Sequence, residues 1–159
     1  MGYTRNYNPN YFEECEGSTN CGSFAFNIEE WYSPDKYFEE DFYCCVDEWI
    51  DHCIRNGWDE QGISNAFVDI LVKYILLDFD DIRIVSYAAD VKSNEELIAF
   101  RTFVNSEGNW DFHFKVLRDY VWLEKCGSKP VRFCEKDDWH NGFIEYNSPT
   151  VYFARKLEN

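Results

Sequence analysis

Positive charge is scarce in this chain. Its 15 lysines and arginines face 30 aspartates and glutamates, a formal net of −15 over 159 residues. A surface of that sign repels phosphate backbones and anionic headgroups, which argues against nucleic acid or a membrane as partner. A long apolar run is also missing, so no segment stands out as able to span a bilayer. The N-terminal Met-Gly-Tyr-Thr-Arg-Asn-Tyr-Asn-Pro lacks the apolar core of a secretory signal. The cysteines, at 15, 21, 44, 45, 53, 126 and 134, contain no paired C-x-x-C, and His140 near Cys126 and Cys134 completes no zinc pattern. Their number is odd, so free thiols in a reducing cytoplasm are expected, and a structural zinc site is not. Internal repeats and low-complexity tracts are absent.

What the chain has in quantity is aromatic surface: 14 Phe, 11 Tyr and 6 Trp. Such side chains supply buried area, and the length suits one domain spanning residues 1–159. Residues 1–20 read as an extended entry. A short helix opens at Cys21, Asn27 caps or interrupts it, and Ser33-Pro34-Asp35 turns the chain. From Tyr37 to Asn56 apolar residues recur at three- and four-residue spacing (Phe38, Phe42, Val46, Trp49, Ile50, Cys53), which predicts a helix stopped by Gly57. A second helix is predicted over Glu60 to Asp78.

After Asp80-Asp81 the period drops to two. Strands are predicted over Ile82–Tyr87, Leu97–Val104, Trp110–Leu117, Tyr120–Lys125, Val131–Phe133 and Thr150–Ala154, with Ser93–Glu96 as a turn and residues 137–142 as a polar loop. A helical half (21–80) followed by a sheet half (82–157) predicts an α+β fold, helices packed on one face of an antiparallel sheet.

Three residue types in this order carry chemistry. Cys21 opens a helix, where backbone N–H groups favour a thiolate. His113 lies between Phe112 and Phe114 in a strand and therefore faces the side of the sheet opposite to them. Glu124 lies as far beyond the tight Arg118-Asp119 connection as His113 lies before it, which predicts the two directly opposite on one face. A carboxylate beside a histidine fixes its tautomer and stabilises the imidazolium. His52 reads as solvated or capping, and His140 is a rival base in a polar loop. Trp31-Tyr32, Trp110 and Trp122 read as core residues first and as walls of a groove second.

Two segments carry a family resemblance. Asn20-Cys21-Gly22-Ser23-Phe24-Ala25-Phe26-Asn27 resembles the N-C-x-x-[YF]-A-[LF]-N segment of small bacterial and phage proteins related to papain-like cysteine hydrolases of the NlpC type. Asp111-Phe112-His113-Phe114, with Trp122, Lys125, Gly127, Pro130 and Val131, is similar to the D-[YF]-H-[WF] … W-x-x-K-x-G-x-x-P-V stretch of that group. A second histidine common in the group before the lysine is replaced here by Glu124. The resemblance implies a papain-like sheet and helix arrangement, Cys21 as nucleophile, His113 as general base and acid, and Glu124 as its orienter. It also implies an oxyanion site made by the Cys21 N–H and the Asn20 side chain, and a thioester intermediate, with no metal and no organic cofactor.

The expected function is hydrolysis of an amide-type bond in a peptide or protein, by a cytoplasmic protein encoded by a phage or mobile element. The alternative is a non-enzymatic inhibitor of the anti-defence type, whose acidic surface occupies a basic host protein.

Overall fold

The structure, a computed structural model, describes residues 20–86 and 90–157. The extended entry expected before residue 20, and Tyr87 at the end of the first expected strand, lie outside these residues.

Helix α1 (Cys21–Phe26) begins as the sequence predicts. Asn20 has an extended backbone, its Oδ1 accepts the Ser23 N–H at 3.0 Å, and Ser23 Oγ accepts the Asn20 N–H at 3.2 Å. These reciprocal bonds satisfy two donors that a helix start otherwise leaves unpaired. Asn27 ends α1 in the left-handed region at φ 57°, which asparagine tolerates better than most residues. Every residue of α1 is buried.

The helix predicted over 37–56 is in fact two: α2 (Phe38–Phe42) and α3 (Val46–Arg55). Tyr43 breaks it with φ 57° and stands 93 % exposed. In one continuous helix Phe38 and Trp49 would stand about 16 Å apart along the axis. The break folds α2 back, so that the Phe38 and Phe42 rings, stacked 4.4 Å apart, reach Trp49 at 5.5 and 6.1 Å. Helix α4 (Glu60–Asp78) matches its prediction; Asp59 caps it by accepting the Gly62 N–H at 2.8 Å.

The strands are β1 (Ile82–Val85), β2 (Glu95–Val104), β3 (Trp110–Arg118), β4 (Val121–Lys125), β5 (Val131–Phe133), β6 (His140–Asn141), β7 (Ile144–Glu145) and β8 (Val151–Lys156). Six form one antiparallel sheet in the order β1-β8-β2-β3-β4-β5. The architecture is α+β. Glu95 and Glu96, expected in a turn, start β2 instead. Their charges are met by Arg83, at 2.7 Å from Glu95, and Arg118, at 2.8 Å from Glu96, so a charged pair is compatible with a strand here. The polar loop at 137–142 contains part of a small hairpin, β6 with β7, turned by Gly142 at φ 63°.

One face of the sheet carries the helices. Ile98, Phe100, Val104, Phe114, Val116, Leu123 and Phe153 share a single apolar cluster with α1, α2, α3 and α4. Ser64 of α4 is pinned to Thr102 of β2 by the Thr102 hydroxyl, which donates to the Ser64 carbonyl at 3.0 Å. The opposite face is covered by Trp139 and Tyr146, packed on Ala99. Among the described residues no helix is long and apolar enough to cross a membrane.

The β3–β4 connection corrects one prediction that matters for function. Asp119 and Tyr120 both have positive φ, 52° and 67°, so they are the two central residues of the turn, as hairpin twist favours. Tyr120 is thus outside the strand. Lys115, not His113, lies directly opposite Glu124. A slip of two residues preserves the face, so His113 and Glu124 remain on one side as diagonal neighbours.

Candidate active site

The β3–β4 ladder runs only from the Arg118–Val121 pair to the Lys115–Glu124 pair. Beyond it the edge of β3 is open on that side, and the start of α1 packs there against β3 and β4. The backbone N–H groups of Phe114 and Gly22 reach the Cys21 sulfur. Gly22 permits this approach: a Cβ there would lie 2.8 Å from Tyr32 Cδ2 and 3.2 Å from Phe114 Cε2.

Cys21 and His113 line the same cleft, of about 340 Å³. Asn20, Trp31, Ser33 and Asp35 form one side of it, Trp110, Asp111 and Phe112 another, and Gly127, Asn141 and Tyr146 complete it. Trp31 and Trp110 are therefore walls of the groove, whereas Tyr32 is buried and Trp122 packs on the far face. Trp110 is steadied by its Nε1–H, which donates to Asp47 Oδ1 at 2.8 Å.

His113 is held from three directions. Its Nε2–H donates to Glu124 Oε1 at 2.7 Å. Its ring lies over the Tyr146 ring at 5.1 Å and 18°, and meets Trp139 edge-on at 6.1 Å. Among the described residues Nδ1 has no hydrogen bond, so that nitrogen is available to act on a substrate or a thiol. Glu124 in turn accepts from Arg132 Nε at 2.9 Å through its other oxygen. Burial alone would raise the Glu124 carboxyl, but the hydrogen bonds and charges of His113 and Arg132 outweigh it and hold it below the usual range. Glu124 is therefore a buried carboxylate with a histidine on one oxygen and an arginine on the other.

The thiol behaves differently from its predicted state. Cys21 is 5 % exposed, and burial pushes it up to about 12 despite the Phe114 and Gly22 N–H groups; Asp111 and Cys126 push the same way. Cys21 is thus a thiol at rest and not a thiolate, because desolvation outweighs the donors at the helix start. A buried thiol of this kind can attack only where a base takes its proton.

Asn20 lines the cleft but is engaged by its neighbours. Its Oδ1 accepts from the Ser23 N–H, the Ser23 hydroxyl and the Tyr32 N–H, while Nδ2 donates to the Tyr32 carbonyl at 2.7 Å. One amide hydrogen is left for an oxyanion. The Cys21 N–H is a first-turn donor that the capping box does not use.

His52 is exposed on α3 beside Asn56. His140 is exposed, bonds Asp138 Oδ1 at 2.8 Å and does not line the cleft. Tyr146, Arg132 and Cys126 were not predicted as site residues. Tyr146 donates to Asp111 Oδ2 at 2.8 Å, and Asp111 Oδ1 accepts the Phe112 N–H at 2.8 Å. Nothing local in the sequence marks Tyr146, because it reaches His113 from a separate segment across the sheet. Cys126 follows Glu124 by two residues, and that same-face spacing was a usable signal. No family model matches this sequence, and neither the curated proteins nor the solved structures give a match.

Proposed function

We propose that this protein is a cysteine-dependent hydrolase of amide-type bonds, a peptidase or amidase, with a papain-like arrangement of helix and sheet. The observation that carries the reading is one cleft lined by both Cys21 and His113, the latter fixed by Glu124 at 2.7 Å with Nδ1 left over. The likeness of the Asn20–Asn27 and Asp111–Val131 segments to NlpC-type hydrolases supports it independently.

Cys21 Sγ attacks the carbonyl carbon while its proton passes to His113 Nδ1. Glu124, itself charged beside Arg132, stabilises the imidazolium that forms. The oxyanion is met by the Cys21 N–H and the remaining Asn20 amide hydrogen. Collapse expels the amine, which takes the proton from His113. Water then attacks the thioester with His113 again as base, releasing the acid and the free thiol. The substrate is a peptide or protein chain able to lie between Trp31 and Trp110.

The test is turnover of a synthetic peptide and isopeptide library followed by mass spectrometry. Cleavage by the wild type that is lost in Cys21→Ala and His113→Ala is expected. Equal cleavage by Cys21→Ala overturns the reading.

A second reading is favoured by one observation. Glu39, Glu40, Asp41, Asp47, Glu48 and Asp51 are all exposed on α2 and α3, beside the Trp110 wall. In this reading the acidic face holds a basic protein surface, and the biological effect survives Cys21→Ser but weakens in high salt.

A further inference from the structure

Behind the cleft lies a second constellation. A ring nitrogen of His113, a carboxylate oxygen of Glu124 and the sulfur of Cys126 all lie within 4.8 Å of one another, and all three residues are buried. They come from β3, from β4 and from the residue just after β4, on the face of the sheet away from the helices. Strand pairing puts His113 and Glu124 on one face, and the two-residue spacing from Glu124 puts Cys126 on that face as well.

Imidazole, carboxylate and thiolate are the donor set of a zinc site. Zinc bonds of about 2.0–2.3 Å place tetrahedral donors about 3.3–3.8 Å apart, so an ion enters if the His113–Glu124 pair opens from 2.7 Å and no donor separation changes by more than about 1.5 Å. Charge also fits. A neutral imidazole, one carboxylate and one thiolate balance the charge of a divalent cation, leaving only the half-exposed Arg132 on the other Glu124 oxygen as excess positive charge. Cys126 is a free thiol, in no disulfide, and so is available as a ligand. Three protein ligands leave the fourth position to water.

We propose that His113, Glu124 and Cys126 bind a zinc-class divalent cation, and that the bound ion switches the catalytic site off. Binding releases the Cys126 proton to solvent and forms one metal–sulfur, one metal–nitrogen and one metal–oxygen bond. It also takes His113 out of the reaction. A neutral imidazole that gives one nitrogen to a metal carries its proton on the other, so His113 then presents an N–H where the thiol needs a lone pair. The binding stands on the geometry of the trio alone; the switching rests on the hydrolase reading.

The test uses the full chain with cobalt(II) as the spectroscopic probe and zinc(II) as the competitor. Cobalt bound through a thiolate gives a near-ultraviolet sulfur-to-metal band, which zinc should remove. Cys126→Ser is expected to abolish the band. Glu124→Gln, which keeps the side-chain shape, is expected to weaken binding by more than the roughly 10- to 100-fold that loss of a supporting contact costs. Cys134→Ser is the control that keeps the band. A band unchanged in both Cys126→Ser and Glu124→Gln overturns the site. In turnover assays zinc is expected to inhibit the wild type, a chelator to restore it, and Cys126→Ser to resist. Turnover that zinc leaves untouched overturns the switch. Absence of turnover at any metal level, with the band intact, refutes the hydrolase reading and leaves the metal site standing.

Discussion

Gly22→Ala puts the docking of α1 to a direct test. The added methyl would lie 2.8 Å from Tyr32 Cδ2 and 3.2 and 3.3 Å from Phe114 Cε2 and Cδ2, where ordinary contact starts at 3.4 Å. Relief therefore requires a withdrawal of about 0.6 Å by one partner. Neither ring can move easily. Tyr32 is fully buried, with its hydroxyl donating to Asp78 Oδ2 at 2.6 Å and its ring against Phe79 at 5.3 Å. Phe114 is fully buried between Phe26 at 5.3 Å and Phe100 at 4.4 Å. Overpacking of this kind costs about 1–3 kcal/mol. Against that, alanine in place of glycine favours a helix by up to about 1 kcal/mol. The net expectation is a loss of up to about 3 kcal/mol, centred near 1 kcal/mol, read as a lower urea midpoint at unchanged slope. The consequence for chemistry is larger, because α1 lifts Cys21 away from β3, and a shift of about 1 Å in a reacting group costs about 100-fold. Turnover should fall by at least about 10-fold while the protein stays folded. A variant that is more stable than the wild type and equally active would refute the close approach.

Other perturbations have distinct signatures. Glu124→Gln keeps the contact with His113 but removes the charge that supports the imidazolium; kcat/KM should fall by about 100- to 10 000-fold, and the thermal midpoint should fall as well because the pair with Arg132 is broken, so turnover is compared where both proteins are folded. Tyr146→Phe retains the ring under His113 and loses the hydroxyl's bonds to Asp111 and Asn141, so its kcat should fall less than that of Tyr146→Ala, which removes the stack; equal kcat values would show that the ring does not position the base. Arg83 holds the Glu95 carboxyl down to about 2 from 4.5, through a hydrogen bond that outweighs burial. A depressed carboxylate contributes stability above its unfolded pKa and loses it as pH falls from about 4.5 towards 2. Urea midpoints of Glu95→Gln should accordingly decline less than those of the wild type across that window, and parallel curves would contradict the coupling.

Much of this arrangement is legible in local sequence. The Asn20–Ser23 start of α1, the apolar run of α4 and the alternation in β3 are short-range signals, and each becomes the element it predicts. Departures arise where distant contacts decide. The break at Tyr43 exists so that two phenylalanines can close on Trp49. The β3–β4 register is set by Asp119 and Tyr120; aspartate tolerates a positive φ better than most residues, but nothing about a tyrosine advertises one. The last strand, β8, enters between β1 and β2, a placement no local pattern encodes. For the site, the shared face of His113 and Glu124 was readable because it survives a two-residue slip. The protonated state of Cys21 was not, because helix position suggests a thiolate and only the packing around α1 reveals the burial that reverses it.

The central claim is that Cys21 and His113 act as nucleophile and base. Its most direct test is the alkylation rate of Cys21 by iodoacetamide, resolved from the other cysteines by mass spectrometry, from mildly acidic to mildly alkaline pH. The account predicts that wild-type Cys21 reacts with a pH dependence set by His113, and that His113→Ala slows it by about 100-fold or more near neutrality while Cys53 is unaffected. Identical Cys21 profiles in the two folded proteins would contradict the pairing on which the proposed chemistry depends.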